Sequence, residues 1–251
     1  MISERYNHKR KSLIVSALVL GFLLGLAKVN ATAYAQKYDR VQYRAGERNK
    51  YVVLKYLVPA LNQAGKAGRL YYTADCPPYD VNFYDPYPFP AINVQPPSKD
   101  VSGLAAIREI FRGDANVEVE EKPPGIVRIR IGKVFDDILQ THISHITLLP
   151  TERYNPLFAI LAIRDSAEVQ AASKQLGIRY DGRPFDYLFQ TPDEGLPHIS
   201  GPLKNLTMEQ ALDVVAQTFG DIVVYSTCTK QHHIGLEATG GPDFDVTGLL
   251  Q

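Results

Sequence analysis

The chain is short of the features that would name a chemistry. No sign of charge prevails, with 27 basic residues against 27 acidic ones. That balance leaves no electrostatic footprint for nucleic acid or anionic lipid, so no nucleic-acid partner is expected. Neither a phosphate-binding loop nor a dinucleotide fingerprint occurs. The run His198-Ile199-Ser200-Gly201 lacks the Gly-x-Ser-x-Gly of a nucleophile elbow. Tryptophan is absent, and there are two cysteines in 251 residues. Only one long apolar run is present, at the N-terminus, and no second candidate span follows it, so no stable membrane insertion is expected once that run is removed.

What is present at the N-terminus is a targeting pattern. Lys9-Arg10-Lys11 forms a basic start, and Leu13 to Ala27 is apolar and too short to span a bilayer comfortably. Ala33-Tyr34-Ala35 gives the small-x-small cleavage pattern, with Ala31-x-Ala33 as a near alternative. No cysteine follows the run, which argues against a lipid anchor. Residues 1–35 therefore read as a signal peptide, and the protein as periplasmic or secreted. Removing them leaves 22 basic against 26 acidic residues, a net charge of −4. An apolar content of 45% excludes wholesale disorder.

The best-defined stretch runs from Leu203 to Glu237. Thr207 with Gln210 three residues on has capping-box spacing. Met208, Ala211, Leu212, Val215 and Phe219 recur on one helical face, Gly220 stops the helix, and Ile222 to Tyr225 is a β-branched strand. Shifted back by 105 positions, Lys204 falls on Lys99, Thr207 on Ser102, Ala211-Leu212 on Ala106-Ile107, Val215 on Ile110, Ile222 on Val117, Ile234 on Ile129 and Leu236 on Ile131. No gap is needed, as expected of a duplicated unit. The predicted fold is α+β in two related halves, each with helices packed on short mixed strands: residues 36–132, residues 133–238, and a Gly-rich tail at 239–251.

Within the first half the periodicity predicts a helix over 51–67, with Pro59 a candidate for its first turn, then a short strand Arg69 to Thr73. Residues 77–90 form a loop dense in proline and aromatics, expected to lie on its own domain, with a sugar or Pro-rich peptide platform as the alternative. Ala91 to Gln95 reads as a strand. The helix Ser102–Arg112 and the hairpin Val117–Glu121 and Ile126–Ile131 complete the half. The second half predicts a single turn at Phe135–Leu139, a strand Ile143–Leu148, an Asn155-capped helix Leu157–Ile163, an amphipathic helix ended by Gly177, and strands at Ile178–Tyr180 and Phe185–Phe189.

The element order, and above all Lys204, Asn205, Leu206, Thr207, Ala211, Leu212 and Val215, resembles the short N-terminal (STN) domain of secretins and TonB-dependent receptors. Ser102, Ala106, Ile107 and Ile110 follow the same pattern in the first half. The resemblance covers about 35 residues well, and more by element order. It implies a small α+β fold serving as a periplasmic protein-interaction module. No channel or barrel domain precedes the last residue, Gln251, which sets a role in a pore or receptor outside the expectation.

Candidate chemistry is sparse. His142 and His145 are three apart on a predicted strand, which sets them on opposite faces. Cys228, His232 and His233 cluster soft and imidazole ligands, giving a metal carrier as a minor alternative. Asp193, Glu194 and His198 are the groups a periplasmic hydrolase would have to converge. Because an exported chain with an even cysteine count favours pairing, Cys76 and Cys228 are expected to form a disulfide joining the halves. No catalytic residue, cofactor or metal is assigned. The expected function is a non-catalytic binding or adaptor protein with an envelope protein as partner.

Overall fold

A computed structural model describes residues 49–74, 89–180, 195–228 and 233–239. The signal region, most of the Pro/aromatic loop, the predicted strand Phe185–Phe189 and the tail lie outside those residues.

The chain begins with helix α1 over 49–64 and strand β1, Ala67–Ala74. Helix α2 (Gly103–Ile110) and the hairpin β2 (Val117–Glu121) and β3 (Ile126–Ile131) follow. After a 3-10 turn at Asp137–Gln140 come β4 (His142–Ile146), the short α3 (Pro150–Arg153), α4 (Pro156–Arg164), α5 (Ala167–Leu176) and β5 (Arg179–Tyr180). The last part is β6 (Leu203–Thr207), α6 (Met208–Phe219), β7 (Ile222–Cys228) and β8 (His233–Thr239). This is an α+β fold.

Six strands make one mixed sheet in the order β2-β3-β1-β7-β8-β5, while β4 and β6 form a separate antiparallel pair. β1 lies between two parallel neighbours, β3 and β7, and nearly all of β1 and β7 is buried. Both are covered on both faces, which is why Leu70-Tyr71-Tyr72 and Ile222–Tyr225 read as continuous apolar runs instead of alternating ones.

The two cores lie on opposite faces of this sheet. On one, Leu54, Leu57 and Leu61 of α1 and Ile107 and Ile110 of α2 meet Leu70, Val127, Ile129, Ile222 and Val224. On the other, Ile160 and Ile163 of α4 and Leu212 and Val215 of α6 meet Tyr71, Val223, Tyr225 and Ile234. Gly68 permits the close approach of α1: a Cβ there would stand 2.8 Å from Leu61 Cδ1 and 3.0 Å from Ile222 Cγ1.

The cap at Thr207 forms as its spacing predicts: Thr207 Oγ1 accepts from the Gln210 N–H, and Gln210 Oε1 accepts from the Thr207 N–H. Gly220 ends α6 in the left-handed region at φ 68°. Asn155 Oδ1 accepts from the N–H groups of Leu157 and Phe158, capping α4.

Two local expectations need correction. The first helix does not start at Pro59; residues 49–64 are helical throughout, and Pro59 sits on the exposed face, where a missing N–H costs least because water can reach the orphaned carbonyl. Ala91 to Gln95 is not a strand. The segment is irregular, fastened by Gln95 N–H to the Ile110 carbonyl (3.0 Å) and Asn93 N–H to Asp114 Oδ2 (3.2 Å).

The strand arrangement has an internal correspondence. β3 pairs in parallel with β1, Arg69 opposite Arg128, and β8 pairs in parallel with β5, Arg179 opposite His233. The correspondence is one of strand order and not of register: β2 and β3 pair Val119 with Ile129, whereas β7 and β8 pair Val224 with Glu237, three residues beyond the Ile234 that a shift of 105 places there. The two sets are joined side by side through β1 and β7, and α6 from the second half packs over β1 and β3 of the first.

Candidate functional site

The residues that gather around a cleft are not those the sequence singled out. β2 and β3 alternate charged and apolar side chains, VEVEE and IVRIRI. Antiparallel pairing sets Glu118 opposite Arg130 and Glu120 opposite Arg128. Val119 and Ile129 go to the α1/α2 core, so these four charges face the other way, toward α6. Along α6, Glu209 and Asp213 are one turn apart and look back at them. A cleft of about 520 Å³ results, walled by Glu120, Lys122, Arg128, Glu209, Gln210 and Asp213.

Beneath the cleft the charges are buried and paired. Arg69, on β1, has no exposed surface; its Nη1 donates to Asp213 Oδ1 at 2.5 Å and to the Glu209 carbonyl at 2.9 Å. Arg128 Nη2 lies 3.3 Å from Glu209 Oε2 and 3.6 Å from Asp213 Oδ2. Tyr71 donates its hydroxyl to Glu209 Oε1 at 2.8 Å, and the guanidinium carbons of Arg69 and Arg130 each lie 4.8 Å from its ring centroid. Arg130 is held by Asp136 at 2.6 Å.

Burial pushes the Asp213 carboxyl above its ordinary range, against the pull of Arg69. It also pushes the Tyr71 phenol well up, so that hydroxyl is a fixed donor and a poor base. Arg69 Nε and Nη2, Arg128 Nε and Asp213 Oδ2 are buried without a hydrogen-bond partner among the described residues. The arrangement is a salt-bridged seam between halves that opens into a polar recess. It offers directional donors and acceptors to a ligand, while its carboxylates are committed to arginines and its phenol to Glu209.

The residues expected from sequence lie elsewhere. His198 is exposed and stacks on Tyr154 at 4.8 Å, while Asp193 and Glu194 lie outside the described residues. His142 and His145 are exposed on β4, and His145 Nε2 is 2.8 Å from Thr147 Oγ1. His233 opens β8 and is buried; His232 is outside the described residues. No group of three or more potential metal ligands occurs among the described residues. Cys228 ends β7 opposite Ala74, and no free thiol occurs among the described residues; Cys76 lies outside them. Of the Pro/aromatic loop, Phe89 is buried against Tyr72, with ring centroids 4.8 Å apart. Among the described residues no helix is long and apolar enough to cross a membrane.

The seam escaped sequence reading because each of its members looks like an ordinary solvent-facing charge in an alternating strand or an amphipathic helix. The available signal was the pairing of an acidic strand with a basic one in a single hairpin, together with Arg69 as the one charge in the strand Ala67–Ala74. Compared with protein families, with curated proteins and with solved structures, the chain matches none.

Proposed function

We propose that this chain is an exported, non-catalytic binding or adaptor protein of the cell envelope, and that the cleft between the β2–β3 hairpin and α6 is where a partner is held. The observation that carries this reading is the composition of the cleft wall. Acids and bases alternate there, most already balanced by a neighbour, which suits recognition of a polar protein surface better than activation of a nucleophile. The STN resemblance and the basic–apolar–Ala-x-Ala order of residues 1–35 support the same reading. A photo-crosslinking side chain at Lys122 or Gln210, on the cleft rim, should trap one envelope protein in the native envelope, and the same probe at Lys55, exposed on α1 across the sheet from the cleft, should not. Equal trapping at all three positions, or none, would overturn the reading. Export is tested by intact mass, which should show about 35 residues removed.

We further infer that the halves arose by duplication, supported by a recurring strand order in which the second strand of each hairpin lies parallel to an earlier strand, β3 on β1 and β8 on β5, and that Cys76 pairs with Cys228. Ala74 stands opposite Cys228 across parallel strands, and at most about 7 Å of chain separates Cys76 from Ala74. Thiol labelling of unreduced, denatured protein should find no free cysteine.

A further inference from the structure

Resting on the reading of the chain as a binding protein, we propose that the free edge of β2 is the docking strand, and that it takes an extended partner segment in which basic and apolar residues alternate. Among the described residues β2 is the terminal strand of the sheet and its one ladder is with β3. The phase of that ladder is fixed at both ends: the Lys122 N–H donates to the Ile126 carbonyl at 3.0 Å, and the Gly132 N–H to the Asn116 carbonyl at 2.9 Å. Even-numbered residues of β2 therefore turn their backbone groups toward β3, and odd-numbered ones turn theirs away. The Val117 N–H is taken by the Asp114 carbonyl at 3.3 Å. Val119 and Glu121 are left with outward backbone groups that have no backbone partner among the described residues. An open row of this kind is a template for another strand.

The side chains of β2 say which strand fits. Glu118 and Glu120 are exposed on the cleft face, and Val117 and Val119 are half-buried on the α2 face. Glu120 is 3.9 Å from Arg128 Nη1, a loose pairing, and Glu118 has no ion pair among the described residues. A strand laid beside β2 alternates its side chains between the same two faces, so it meets carboxylates on one and valines on the other. Basic residues on the first face and apolar ones on the second complement both. A second copy of this chain is a poor occupant, because β2 against β2 places glutamate beside glutamate. The opposite edge, β5, has two strand residues among those described, against five in β2.

The test titrates end-blocked, dye-labelled peptides of alternating Lys and Val into the full exported chain, with alternating Glu-Val and a scrambled Lys-Val peptide as controls. Val119→Pro removes an N–H that faces away from β3, so the β2–β3 ladder is kept while the docking edge is blocked. The Lys-Val peptide should bind saturably, and Val119→Pro should weaken it about tenfold or more, since main-chain hydrogen bonds carry the affinity in strand addition. A Glu118→Lys/Glu120→Lys variant, which leaves the backbone alone, should lose the Lys-Val peptide and gain the Glu-Val one. Equal binding to wild type and Val119→Pro, equal binding of the scrambled peptide, or no saturable binding would overturn the proposal. So would a dimer of the wild-type chain that Val119→Pro dissolves, since the edge would then belong to a second copy. If the Lys122 and Gln210 crosslinks persist in the Val119→Pro chain, the docking edge is wrong and the binding reading stands; if wild type gives no crosslink, the binding reading itself falls.

Discussion

The two hairpins β2–β3 and β7–β8 share a strand order but not a register, and they differ on the face they turn toward the second-half helices. Where β2 has Glu118 and Glu120 on that face, β7 has Val223 and Tyr225 at the positions 105 further on. Val223 and Tyr225 are wholly buried, whereas Glu118 and Glu120 are exposed. The cause is position in the sheet. β7 is central, packed under α4 and α6, and a charge there would lose its hydration with nothing to replace it. β2 is terminal, so its outer face keeps water and can carry charge. One supersecondary pattern thus yields a core wall when placed at the centre and a charged, solvent-facing wall when placed at the rim.

The sharpest way to break this comparison is to exchange the two chemistries. Val223→Glu, which copies Glu118 into the central strand, should cost ~4 kcal/mol or more and abolish cooperative urea unfolding from a native state. A loss below ~1 kcal/mol would mean that β7 is not sealed.

Next in size is the seam itself. Asp213→Ala leaves the Arg69 guanidinium buried without its carboxylate and should cost ~3–5 kcal/mol in denaturant melts, while Arg69→Met with Asp213→Leu should recover most of it. If the double variant is no better than the single one, the pair does more than neutralise its own charges.

A smaller effect is expected at Asp221, where the counterpart in the first half is Asn116. Burial pushes the Asp221 carboxyl from 3.8 up to about 6. The folded state therefore holds this proton more tightly than the unfolded state. Its contribution is complete below pH 3.8 and is lost as pH rises through about 6. Asp221→Asn should leave stability unchanged at the acid end of that window and raise it by ~1 kcal/mol at neutral pH, a figure reduced for the group's partial exposure. Parallel pH profiles for the two proteins would remove this asymmetry. The least effect belongs to Glu118→Val, expected to stay within ~0.5 kcal/mol of wild type by the same melts, because the rim does not depend on its charge for folding.

Much of the second half was legible because its signals are local. Thr207 with Gln210, Asn155 before Pro156, and Gly177 and Gly220 as stops each act within one helical turn, and each forms as its spacing says. The first half resisted where a decision depended on distant chain. Pro59 looks like a helix start until the burial of Leu54 and Leu57 against the sheet shows that tertiary contact carries the helix through it. Asn93 and Gln95 have strand spacing but reach the end of α2 instead of a ladder. The cleft was illegible for a related reason. Arg69, Arg128 and Asp213 come from three elements far apart in sequence, and nothing near any of them announces that its partners will be charged. Alternation reports which residues leave the core; it does not report which of those meet each other.

Strand β1 is the first strand of the described chain and the last that can be completed. Ala67 waits for Ile126 on one side, and Gly68 waits for Ile222 on the other. As the chain is made from its N-terminus, α1 and β1 emerge with apolar surfaces on both faces and no strand to lie against. The sheet closes only when β7, and after it β8, the last two elements, are laid beside β1. Non-local closure of this kind makes for slow folding, because the long loop must be ordered before any contact rewards it. Under the export proposed above that delay is useful: the chain stays unfolded, and so threadable, until almost its whole length has passed.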